Sequence, residues 1–213
     1  MKILAFALAW SALCAEPAAR VTGRVVIGAD LTAELIGYYT HIEGFQAPLF
    51  AGEPTEKAAY FAFRTERSPV QATKDGDAVK LTPRAPESIL SVYYHPLPDR
   101  DFAKPESFTE AQLVATFRAR EGEATLNADG RFSYTGKIKL DTSSDFVIEG
   151  VRYNFSDFGA EFTLDASGSS PGIDEIAKQA SSGNFAIPFT GSAAAAGATE
   201  STQRQQPQSN RSR

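Results

Sequence analysis

Two histidines occur in the 213-residue chain, His41 and His95, and each follows a tyrosine pair. The segments read Tyr38-Tyr39-Thr40-His41 and Tyr93-Tyr94-His95. An imidazole titrates near neutral pH and serves as acid, base or metal ligand. With Glu43, Asp99 or Asp101 close by in sequence, two such groups at one end of a sheet would make a small polar site. The plainer account places both histidines at strand ends, with tyrosine rings packed and hydroxyls in water. The spacing fixes no ligand geometry. The plainer account is therefore preferred, and neither a metal nor another cofactor is expected. Tyr38, Tyr39, His41, Tyr93, Tyr94 and His95 stand as candidate ligand-binding residues, with no catalytic role assigned.

Other chemistry finds less support. The chain contains no Gly-x-Ser-x-Gly elbow, no phosphate-cradling Gly-x-x-x-x-Gly-Lys and no dinucleotide fingerprint. Asp141, Asp145, Asp157 and Asp165 fall near turns but follow no calcium-loop pattern, so they read as solvated turn acids. Cys14, Met1 and Trp10 are the only residues of their kinds. All three lie in an N-terminal apolar segment. Without that segment the chain has no thiolate nucleophile, disulfide or cysteine-ligated metal. The net charge is −5, which argues against nucleic acid as a partner, since phosphate neutralisation needs clustered Lys and Arg.

Lys2, the apolar run 3–13 and the small residue Ala15 before Glu16 have the order of a secretory signal peptide. Cleavage after Ala15 is expected. The run is shorter than the roughly 20 residues of a membrane-spanning helix. These residues predict a secreted or periplasmic protein with no transmembrane segment in its mature chain.

Positioning falls to β-strands. In 131–140, Phe132, Tyr134, Ile138 and Leu140 alternate with Arg131, Ser133, Thr135, Lys137 and Lys139. That period of two suits a strand with one buried face. Asn127-Ala128-Asp129-Gly130 before it and Lys74-Asp75-Gly76-Asp77 are hairpin turns in which glycine takes positive φ. Further strands are expected over 21–27, 35–42, 58–65, 70–73, 78–82, 89–94, 146–155, 158–164 and 184–190. The stretch 109–123 fits a helix or a strand. Because it leads straight into the hairpin, one long strand bulged near Gly122 is favoured. Ser170-Pro171 opens a short helix near 171–180. From 191 to 213 the chain has no large apolar residue and is expected to be disordered.

The sum is an all-β domain over 21–190. It has about eight antiparallel strands, in a single barrel or a two-sheet sandwich. Fifteen phenylalanines and seven tyrosines either fill its interior or line a cavity. The leading expectation is an exported, non-enzymatic binding protein for a small apolar molecule or a surface polymer. A structural or adhesive protein-interaction module is the first alternative. A small barrel enzyme of isomerase or hydrolase type, using His41 or His95, is the second.

Overall fold

The structure, a computed structural model, describes residues 17–84, 88–170 and 185–195. The expected signal peptide and the expected helix at 171–180 lie outside the described residues. The strands are β1 (Ala19–Ile27), β2 (Thr32–Ile42), β3 (Phe61–Thr65), β4 (Ser68–Asp75), β5 (Ala78–Pro83), β6 (Ser88–Tyr94), β7 (Gln112–Leu126), β8 (Arg131–Ser143), β9 (Phe146–Ile148), β10 (Val151–Tyr153), β11 (Glu161–Ser169) and β12 (Phe185–Ala195).

β3 and β4 together form one bent strand beside β2, and β5 and β6 form another beside β7. Counted so, each wall strand pairs antiparallel with its neighbour in sequence, and β12 returns to pair with β1. The result is a closed eight-stranded antiparallel barrel, so the sandwich alternative is set aside. The β9–β10 hairpin is a separate two-stranded sheet.

The period of two makes the interior. Phe132 and Ile138 on β8, Phe162 on β11, Phe185, Ile187 and Phe189 on β12, and Val25 and Ile27 on β1 all join one buried cluster. Turn chemistry at 127–130 follows the sequence: Gly130 has φ +83, and its N–H donates to the Asn127 carbonyl at 2.9 Å. β7 is a 15-residue strand whose register shifts between Ala119 and Glu121, leaving Arg120 as the extra residue of a bulge.

Two expectations need correction. Phe155 and Phe158, expected to end one strand and begin the next, lie instead in a single 3₁₀ turn over Phe155–Phe158. Asn154 caps it, accepting the Ser156 N–H at 2.9 Å. The last strand runs to Ala195, five residues into the segment expected to be disordered from 191. Small side chains suffice there because Ala193 pairs with both Ala19 and Leu164, and ladder bonds to two neighbours hold the backbone.

The segment 95–111 folds back over the outer wall. Phe102 stacks on Phe108 with centroids 5.1 Å apart, over Val26, Ile36 and Ala62, and Arg24 lies 4.5 Å above the Phe102 ring. Arg100 is fully buried and donates to the carbonyls of Ala59 and Tyr60, while its Nε has no partner among the described residues. Burial pulls its guanidinium down to about 10. Arg100→Met should cost about 1–3 kcal/mol, because two carbonyls lose their donor even though a buried charge is removed. Urea unfolding of the variant measures this.

Candidate functional site: the barrel interior and its wall

The register places the C-terminal ends of β2, β6, β8 and β12 at one end of the barrel. The hairpin segment 144–160 plugs this end. Glu149 and Gly150, with φ +50 and +81, make the tight β9–β10 turn. Phe146, Tyr153, Phe155 and Phe158 point into the core. Phe155 has the rings of Tyr39, Phe61, Phe146 and Phe158 at centroid distances of 5.7–6.0 Å.

Beneath this plug lies a cavity of about 70 Å³, walled by Tyr39, Phe63, Phe117, Tyr134, Phe155, Phe158, Phe162, Phe189 and aliphatic side chains. It exceeds a packing void of the size of one water. It is about half the roughly 150 Å³ that accommodates benzene in a dry cavity, and well below the roughly 300–1,000 Å³ of ordinary ligand pockets.

The candidate residues separate. Tyr38 pairs with Ala62, and Ala62 with Tyr93, which puts both tyrosines on the outer row. Tyr38 packs against Phe50 and Phe102 there. Tyr39 faces inward, lines the cavity, and burial pushes its phenol far up. Tyr94 also faces inward, against Phe61 at 5.3 Å and Phe146 at 5.8 Å. His95 is half-buried; its N–H donates to the Tyr60 carbonyl and its Nδ1 accepts the Leu97 N–H at 3.0 Å. Partial burial, then the Arg100 charge, lower its pKa. His41, at the end of β2, pairs with Arg20. The two histidines thus share an end of the barrel, but among the described residues neither lines the apolar cavity. Among the described residues no group of three or more His, Cys, Asp and Glu is placed to hold a metal.

Sequence reasoning did not single out Tyr134. Its inward orientation was legible, but its surroundings depend on register. Gly122 pairs with Gly136, and the Tyr134 ring lies over both. A Cβ at Gly122 would sit 2.9 Å from the Tyr134 hydroxyl, and one at Gly136 would overlap it. Burial raises the Tyr134 phenol above its ordinary value. Beside it the wall passes from β5 to β6. β5 pairs with β7 through Leu81 and Ala124, and β6 resumes at Ser88 and Ala119. Between them the edge of β7 at 120–123 has no ladder partner on this side among the described residues. A cleft of about 230 Å³ is bordered here by Thr82, Ser88, Arg120, Glu121, Gly122 and Tyr134.

The outer face carries a second feature. Thr125, Ser133, Ser167, Thr190 and Thr22 form one transverse row across five strands. Glu123, Thr135, Asp165, Ser192 and Arg20 form the next. The Thr135 hydroxyl donates to Asp165 at 2.9 Å. Both rows border an open concavity of about 810 Å³.

No family model, curated protein or solved structure matches this chain significantly. Among the described residues no helix is long and apolar enough to cross a membrane.

Proposed function

We propose that the protein is an exported, non-enzymatic binding protein whose barrel interior takes a small apolar molecule. The observation that carries this reading is the cavity beneath the aromatic plug, lined almost wholly by carbon. Its resting volume is small, so binding requires an aromatic side chain to move aside. The plug suits that demand: Phe158 is only half-buried, and Gly159 after it has φ +130. Export rests on the charge, apolar run and small residue of 1–15.

The test is fluorescence titration of the purified protein with N-phenyl-1-naphthylamine, an uncharged apolar probe. Saturable binding is expected. Phe158→Ala, which removes one wall of the cavity, should tighten it about tenfold, in line with about 1.4 kcal/mol from a better-fitting void. Absence of saturable binding in both proteins would defeat the interior reading.

A second reading keeps the surface-polymer half of the expectation. The two hydroxyl-bearing rows offer donors and acceptors at strand spacings of about 4.8 Å, and they suit a polar chain laid across the wall. Ser133→Trp should then abolish retention on an immobilised neutral polysaccharide. Equal retention of both proteins would count against it.

A further inference from the structure

Tyr39 lines the apolar cavity and is only 9% exposed, yet its hydroxyl makes no hydrogen bond among the described residues. We propose that the Tyr39 hydroxyl is the polar anchor of the interior site, and that the ligand is a small uncharged molecule with an apolar body and one carbonyl oxygen. In this arrangement the body fills the cavity and the oxygen accepts a hydrogen bond from the phenol. The inference rests on the interior-binding reading above and adds a functional group and the residue that selects it.

Three observations support it. First, the hydroxyl looks into the cavity. Among the described residues, Arg100 Nε is the one buried side-chain polar atom that is both occluded and unpartnered. The Tyr39 oxygen has no partner, so it is not occluded, and the cavity is the open space that Tyr39 borders. Burial alone raises its phenol, with no neighbouring charge or hydrogen bond contributing. A polar group so placed ordinarily has a partner. Second, the side chain is held in position. Its ring meets Phe63 at 5.7 Å and Phe155 at 6.0 Å. Val21 pairs with Tyr39 and Arg20 with His41, which leaves Thr40 as the extra residue of a bulge. A bulge bends its strand and re-aims the side chain beside it. Third, the rest of the lining selects the class. No Lys, Arg or His borders the cavity among the described residues, so an anionic ligand finds no counter-charge. Nearly all of the lining is carbon, so a water would lack the two to four polar partners it needs. A phenol is a ready donor, and a neutral carbonyl oxygen is an acceptor that brings no charge into these surroundings.

The test compares two probes of nearly the same shape on the full chain by isothermal titration calorimetry. Acetophenone carries a carbonyl oxygen where α-methylstyrene carries a methylene group. Tyr39→Phe should weaken acetophenone about tenfold and leave α-methylstyrene within about twofold, the effect of one lost hydrogen bond to an otherwise unchanged site. The infrared carbonyl stretch of bound acetophenone should lie below its position in hexane, and Tyr39→Phe should remove that shift. Urea unfolding of the unliganded proteins supplies a separate readout: Tyr39→Phe should be at least as stable as the unaltered protein, because the hydroxyl has no partner to lose. A lower midpoint would show that it has one, and would overturn the anchor. If Tyr39→Phe changes both probes equally or neither, or if α-methylstyrene binds and acetophenone does not, the anchor is overturned while the interior reading stands. If neither probe binds the unaltered protein, both fail.

Discussion

Phe61→Ala is expected to destabilise the protein by about 3–5 kcal/mol, the range for deleting a fully buried aromatic ring. Phe61 is wholly inaccessible to solvent. Its ring meets Phe45 and Tyr94 at 5.3 Å, Phe146 at 5.4 Å and Phe155 at 6.0 Å. It therefore joins the barrel wall to both segments that close this end, 43–60 and 144–160. Edge-to-face contacts of this kind add about 0.5–1.5 kcal/mol per pair beyond area burial. The loss is divided between wall and plug. Urea unfolding should show a lower midpoint at nearly unchanged slope. A loss below about 1 kcal/mol would mean that the plug collapses into the vacated space.

Arg64→Ala should have an effect of similar size, by a different mechanism. Glu34 lies on the outer row of β2, yet its carboxylate is only 1% exposed. Arg64 reaches Oε2 with Nε at 3.1 Å and Nη2 at 2.8 Å, and Arg67 reaches Oε1 at 3.0 Å. Removing Arg64 leaves a buried carboxylate with a single partner that is itself 42% exposed. Breaking a buried pair on one side costs about 3–5 kcal/mol. Arg64 Nη1 also donates to the Pro105 carbonyl at 3.3 Å, so the segment 95–111 on the outer wall loses an anchor as well. Arg67→Ala should cost only about 1 kcal/mol, because solvent screens that partner. The double variant Arg64→Ala/Glu34→Leu should recover most of the loss, since the uncompensated charge is then gone. A double variant as unstable as Arg64→Ala would place the cost in lost packing.

Local rules carried the strands. Alternation in 131–140 and the Asp129-Gly130 turn specify β8 and its hairpin without help from the rest of the chain. Closure was not legible, because a sandwich and a barrel show the same alternation. What distinguishes them is the pairing of Ala19 with Ala193 and of Ile27 with Phe185, across most of the sequence. Phe155 and Phe158 looked like strand residues because both are apolar. Asn154, an N-cap residue type three positions after Val151, was the local signal for the 3₁₀ turn. Repeated Tyr-Tyr-His segments suggested one site, but alternation sends consecutive tyrosines to opposite faces. Tyr39 and Tyr94 went in, while Tyr38 and Tyr93 went out. The seat of Tyr134 was out of reach for a related reason: the glycine pair beneath it exists only once β7 and β8 are in register, bulge included.

The most direct measurement is a methyl NMR titration of the protein with N-phenyl-1-naphthylamine. If the interior binds, shifts concentrate at the methyl groups that face the cavity: Val21, Leu35, Ile42, Leu90, Ile138 and Leu164. The exposed Leu97, Val147 and Val151 should stay where they are. Shifts confined to those exposed side chains, with the cavity-facing methyl groups unmoved, would contradict the interior-binding account.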